Sequence, residues 1–110
     1  MRIALQPSTL PTFKPLKTSF RAKGFDYALQ KREGDVAMFE QSKQGFSRTW
    51  SEVVIVQRHG DYEIDHVKIE AAETVPSTSQ WGRLGWTFRN PTKAQTKFDE
   101  LVKAAKDKLS

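Results

Sequence analysis

Near the end of the chain, Ala94, Phe98, Leu101, Val102, Ala105 and Leu109 recur at spacings of three, four and seven, one apolar stripe on an otherwise charged helix. Its start is marked. Asn90 can cap it with Pro91 at the first helical position, or Thr92 can cap with Gln95 three residues on. On its wet side Asp99 and Lys103 can pair four residues apart. The stripe needs an apolar surface to lie on, and what precedes it in the chain reads as strands. That combination predicts an α+β domain in which one C-terminal helix packs on a mostly antiparallel sheet.

The strands are read from alternation and turns. Phe25, Tyr27 and Leu29 alternate with Asp26, Ala28 and Gln30, the period of a half-buried strand. Glu33-Gly34-Asp35 is a turn, and Val36 to Glu40 returns as the second arm of a hairpin. Gln44-Gly45 opens a looser connection carrying Phe46, Arg48 and Trp50. Val53-Val54-Ile55-Val56 is an unbroken β-branched run, expected in a central strand covered on both faces. After the turn His59-Gly60-Asp61, the alternation of Tyr62, Ile64 and His66 continued by Ile69 predicts a fourth strand with one wet face. Thr74 to Gln80, interrupted by Pro76, reads as a loop or a single helical turn, and Gly85-Trp86-Thr87-Phe88 as a short fifth strand. The sheet is therefore expected to have four or five strands. No internal repeat is evident.

A length of 110 residues suits one domain with one core. With no cysteine, the chain has no disulfide framework, thiolate metal site or thiol nucleophile, and fits a reducing compartment. No signal peptide and no membrane-length apolar stretch is seen, so the expected place is the cytoplasm, the host cytoplasm if the protein is viral. Net charge is +5. Residues 1–22 hold Pro7, Pro11 and Pro15, and Arg2, Lys14, Lys17, Arg21 and Lys23 precede the first acid, Asp26. From Asp26 onward 13 basic residues meet 13 acidic ones. The reading is an extended basic arm over 1–22 followed by a neutral body over 23–110. Leu5, Leu10, Phe13, Leu16 and Phe20 suit an arm that lies along that body or folds onto a partner.

No catalytic residue is assigned. His59 and His66 stand seven apart, outside metal-ligand spacing, and the acids Asp61, Glu63 and Asp65 are accounted for as the solvent face of a strand. No phosphate loop, nucleophile elbow or Ser/His/Asp arrangement occurs, and no cofactor or metal is implied. The chain is expected not to be an enzyme. Aromatics interleaved with arginine stand out instead. Trp50 with Arg48, and Trp81 with Arg83, offer rings for base stacking and cations for phosphate, and Lys14, Lys17 and Arg21 in the arm add phosphate contacts. The expected function is a non-enzymatic nucleic-acid-binding accessory protein using these seven residues. The alternative is an inhibitor or adaptor that docks on a host protein or defence complex, for which exposed Trp and Arg serve equally well. Oligomeric state is left open.

Two resemblances bear on this. Trp81-Gly82-Arg83-Leu84-Gly85, followed by the helix, resembles the WGR domain of poly(ADP-ribose) polymerases and some bacterial proteins. It implies nucleic-acid contacts near a strand end by Trp81 and Arg83; the Gly-Gln and the further strand usual after the motif are missing. More broadly, Gly24-Phe25-Asp26-Tyr27, Lys31 to Ala37, Pro76-Ser77, Trp81-Gly82 and Gly85 to Phe88 before a final helix are similar to small uncharacterised proteins of phages and mobile elements. That likeness implies a compact α+β fold and transfers no functional residue.

Overall fold

The computed structural model describes residues 13–109. Its centre is a five-stranded antiparallel sheet of β1 (Ser19–Ala22), β2 (Phe25–Glu33), β3 (Val36–Ser42), β4 (Trp50–Ile55) and β9 (Gly85–Phe88). The spatial order is β1-β2-β3-β4-β9. One helix, α1 (Pro91–Leu109), follows β9 and completes an α+β domain.

The ladder register assigns each side chain to a face. On one face Val36, Met38 and Val53 meet Ala94 and Phe98 of α1, with Phe88, Leu101 and Val102 around them. This is the apolar stripe of the helix finding its surface. On the other face Ala37, Phe39 and Val54 form a second cluster with Leu16 and Val56, flanked by Phe20, Tyr27, Leu29, Val75 and Trp81. Val53 and Val54 are both fully buried, one on each face. That is why their run carries no alternation.

A β-bulge interrupts β2. Leu29 pairs with Phe39 and Lys31 with Met38, so Gln30 is the extra residue. Past the bulge the parity of the strand changes. Lys31 faces the helix, where its Nζ donates to Gln95 Oε1 and lies 5.5 Å from the Phe98 ring centre. Arg32 turns to the opposite side.

Asn90 Oδ1 accepts the backbone N–H groups of Thr92 at 2.8 Å and Lys93 at 3.4 Å, so the asparagine caps α1 and Pro91 occupies its first position. Lys106 and Lys108 lie in the last turn, where cations complement the helix dipole. On the wet side Asp99 accepts a hydrogen bond from Gln95 and Lys97 reaches Glu100. An Asn90→Ala variant is expected to lose about 1 kcal/mol of unfolding free energy, read as a lower urea midpoint at unchanged slope.

The segment expected as a single fourth strand is a hairpin. β5 (Gln57–His59) pairs with β8 (Ala72–Thr74), and β6 (Tyr62–Ile64) pairs with β7 (Val67–Ile69). Every pair from Gln57↔Thr74 to Ile64↔Val67 keeps one register, so residues 57–74 form one two-stranded ribbon. The reversal falls at Asp65-His66, both with positive φ (51° and 66°), the conformation of a two-residue type I′ turn. Residues 60–68 are all exposed. The radius of gyration is 16.6 Å, against about 13 Å for a compact domain of this length; the ribbon projects.

The end of the proline-containing segment belongs to the packed structure. Leu16 is 8% exposed in the second core cluster, and β1 is the edge strand of the main sheet. Lys14 bridges to Ala72, with its N–H on Ala71 O and its carbonyl accepting the N–H of Glu73. The portion of the expected arm before residue 13 lies outside the described residues.

Where the ribbon leaves the sheet, Glu73 ties four segments together. Its carboxylate accepts two hydrogen bonds from Arg32 (2.8 and 2.9 Å), one from Arg58 (2.8 Å) and one from the Leu16 amide (3.1 Å). Arg58 also makes a two-pronged pair with Asp35 at 2.7 and 2.9 Å. The Arg32 guanidinium, more than the Leu16 amide or the Arg58 charge, lowers the Glu73 pKa to about 2.

Candidate functional site

Among the described residues, the face of the sheet away from α1 is only partly covered. Phe20, Phe25, Tyr27, Phe39, Val75, Pro76 and Trp81 wall an open groove of about 640 Å³, with Gln41 and Glu52 on its floor and Lys23 at its rim. Alternation along each strand puts these groups together. Tyr27 pairs with Gln41, Phe39 with Glu52 and Gln41 with Trp50 across the ladders. Phe20 stacks on Tyr27 at 4.7 Å and meets Phe39 edge-on at 5.5 Å.

Glu52 is 8% exposed. Burial pushes its carboxyl above the usual range, while the hydrogen bond from Thr87 and the charge of Lys23 oppose the shift. Thr87 Oγ1 donates to Glu52 Oε2 at 3.1 Å and accepts from Trp81 Nε1 at 2.9 Å. Gln41 Nε2 donates to Tyr27 Oη at 2.9 Å. Burial, and next the Glu52 carboxyl, push the Tyr27 phenol up.

At one end of this face the β1–β2 turn, the β3–β4 loop and the junction of β9 with α1 come together, as the register of the ladders requires. Lys23, Lys43, Arg48 and Arg89 belong to these connections, and Lys93 to the first turn of α1. Aromatic rings stand among them. Phe25 meets Trp50 edge-on at 5.9 Å, and Phe46 lies 6.3 Å from Trp50 at a tilt. The Lys43 ammonium sits 5.3 Å from the Phe25 ring and 5.4 Å from the Phe46 ring. Phe46 is 58% exposed, so its ring is open to solvent.

Of the seven residues singled out by sequence, Arg48 and Trp50 lie at this basic, aromatic end. Trp50 is the first residue of β4 and half-buried. Trp81 stands over the groove as a packing element. Its ring lies 2.6 to 2.9 Å from where a Cβ on Gly85 would be, so only glycine fits beneath it. Arg83 is exposed in the turn that follows. Arg21, on β1, makes a two-pronged pair with Asp26 at 2.9 and 3.2 Å. Lys14 pairs with Glu70 at 3.6 Å. Lys17 is exposed beside Leu16, Phe20 and Arg21. The seven therefore fall into separate places rather than one surface. Phe25, Lys23 and Lys43 were not singled out, and Phe46 was read with Arg48 and Trp50 in one connection but not placed among the seven. Their signal was present in part, as Lys43 and Phe46 flank the same Gln44-Gly45 turn that carries Arg48.

Among the described residues no group of three or more His, Asp or Glu side chains is placed to hold a metal ion. No helix among them is long and apolar enough to cross a membrane. Comparison with protein-family models, curated proteins and solved structures finds no match. The site's chemistry has to be read from its own geometry.

Proposed function

We propose that this protein is a non-enzymatic accessory protein that binds unpaired nucleic acid at the basic, aromatic end of its sheet. The observation that carries the reading is the cluster Phe25, Phe46 and Trp50 with Lys43 lying against two of the rings and Lys23 and Arg48 in the adjoining connections. Bases stack on aromatic rings, and cations spaced around them neutralise the phosphates between successive bases. Phe46 is the first contact, because it is the most exposed of the three rings. Lys23, Lys43 and Arg48 are the phosphate contacts, with Arg89 and Lys93 at the same end extending the path.

The test is fluorescence polarisation against labelled single- and double-stranded DNA and RNA. Three to five phosphate contacts on a single strand predict a loss of roughly 20- to 100-fold in affinity between ~50 and ~200 mM salt. Phe46→Ala is expected to weaken binding by about 1–3 kcal/mol, the contribution of one stacked base, without altering the fold. Absence of binding at the lower salt sinks the reading. The rival, an adaptor for a host protein, predicts a complex indifferent to salt and to nuclease.

A further inference from the structure

Two polar side chains are buried among the described residues, Gln41 and Glu52, each 8% exposed, and both line the aromatic groove. Their hydrogen bonds leave acceptors over. Glu52 Oε2 accepts from Thr87, and its Oε1 accepts from no described residue. Gln41 donates to Tyr27 Oη, and its own Oε1 accepts from none. The two lie diagonally across the β3–β4 ladder, where Gln41 pairs with Trp50 and Phe39 with Glu52. The groove therefore presents a carboxylate with open lone pairs, and beside it an amide and a phenol that each keep a hydrogen to give. Burial disfavours the charged carboxyl of Glu52, and donors from a bound molecule would favour it again.

The rest of the groove suits a flat ring. Phe20, Phe25, Tyr27 and Trp81 line it and are each half-buried. Its volume of about 640 Å³ falls in the range of roughly 300–1,000 Å³ usual for small-molecule sites. It is also continuous with the basic, aromatic end of the sheet. Lys23 and Phe25 line the groove, and Phe25 meets Trp50 in the ring cluster.

Among the nucleic-acid bases one edge matches this set. A carboxylate takes two neighbouring donors, and guanine carries them as N1–H and the N2 amino group, with the O6 acceptor alongside. Adenine and cytosine place a ring-nitrogen acceptor next to their amino group, where the carboxylate repels it. Thymine and uracil flank a single N–H with two carbonyl oxygens. We infer that the groove takes a guanine base from a single strand whose backbone lies at the basic end, with the Glu52 carboxylate accepting from N1–H and the N2 amino group. This rests on the nucleic-acid reading above and names the base that the protein prefers. Unstacked bases are read in this way, by a ring against an aromatic face and hydrogen bonds along the Watson–Crick edge.

Fluorescence polarisation of the full chain tests this with labelled thymidine strands of about ten nucleotides, identical except for one central base: guanine, adenine or hypoxanthine. Guanine and adenine are both purines, so stacking alone hardly separates them. The guanine strand is expected to bind roughly 5- to 150-fold more tightly than the adenine strand, the discrimination of one two-pronged base contact. Hypoxanthine keeps N1–H but lacks the amino group, and its strand is expected to fall between the two. Glu52→Gln puts an N–H where an acceptor stood and is expected to erase the guanine preference, with circular dichroism reporting the fold. The hypoxanthine strand needs no altered protein, so it decides if that variant does not fold. Equal binding of the guanine and adenine strands overturns the inference and leaves the nucleic-acid reading standing. So does a hypoxanthine strand bound as tightly as the guanine strand, or a folded Glu52→Gln variant that keeps the preference. If no strand binds at ~50 mM salt, both readings fall together.

Discussion

Truncating Phe39 to alanine is expected to cost about 3–5 kcal/mol of unfolding free energy. That is a large part of the 5–15 kcal/mol typical of a whole domain. Phe39 is 1% exposed and sits on β3, the middle strand of the five. Its ring is met edge-on by Phe20, and its backbone pairs with Leu29 on one side and Glu52 on the other. The lost side chain leaves a void walled by groups fixed in two ladders, which cannot collapse far, so the cavity adds to the lost burial. The effect reaches the groove, since Phe39 is among the residues that line it. Urea unfolding followed by tryptophan fluorescence measures it. Phe46→Ala is the control, because its exposed ring should change stability by no more than about 0.5 kcal/mol. A loss below about 1 kcal/mol at Phe39 would mean that this face of the sheet is not a core.

The second large effect is expected at Glu73, and it depends on pH. Glu73→Gln keeps the shape but removes the charge that Arg32 and Arg58 share, leaving Asp35 to serve both guanidiniums. At pH 7 the loss is expected to be about 2–3 kcal/mol, below the range for a fully buried pair because water reaches the cluster. The sign of the pH dependence follows from the lowered pKa. A carboxyl whose pKa falls from the ordinary 4.5 to about 2 on folding contributes stability that is fully present above pH 4.5 and fades as pH falls toward 2. Asp26 and Asp35, both lowered by arginine partners, act in the same direction. Wild type minus variant isolates Glu73. The gap should be widest at pH 7, narrower at pH 3 and nearly closed at pH 2. A variant as stable as wild type at pH 7 would show that Glu73 stabilises through shape rather than charge. Because Glu73 joins Leu16, Arg32 and Arg58, amide exchange should quicken first at the base of the ribbon and around Leu16.

How far the chain announces this structure varies by element, for physical reasons. The helix was legible because its stripe, its cap and its proline agree. The hairpin of β2 and β3 was legible because Gly34 marks the turn. The central run was legible because β-branched residues without alternation suit a strand covered on both faces. The ribbon was misread because its reversal uses Asp65-His66, without glycine or proline. Asp and His do enter the left-handed region more often than most residues, but that tendency is faint beside an alternation that continues through the turn. The bulge at Gln30 was invisible for a related reason, since an extra residue leaves no mark in composition.

The candidate site was legible only in part. Arg48 and Trp50 belong to one connection, so sequence could join them. The partners of Lys14 and Trp81 could not be seen, because Glu70 and Thr87 reach them through the fold. Charge shows the same limit. Counting along the chain placed the excess at its beginning and called the rest neutral. In three dimensions that neutral part divides into an acidic ribbon and a basic end.

The bulge in β2 has a consequence for how such a chain can change in length. Removing a residue from the interior of a strand ordinarily turns everything beyond it to the wrong side of the sheet. Gln30 is the exception here. With it gone, Leu29 and Lys31 would follow one another against Phe39 and Met38 as a regular ladder, with Arg32 still beside Glu73 and Lys31 still beneath the helix. What would be lost is the added local twist that bulges bring. A one-codon deletion, normally expected to survive only in loops, has a permitted site in the second strand of this sheet.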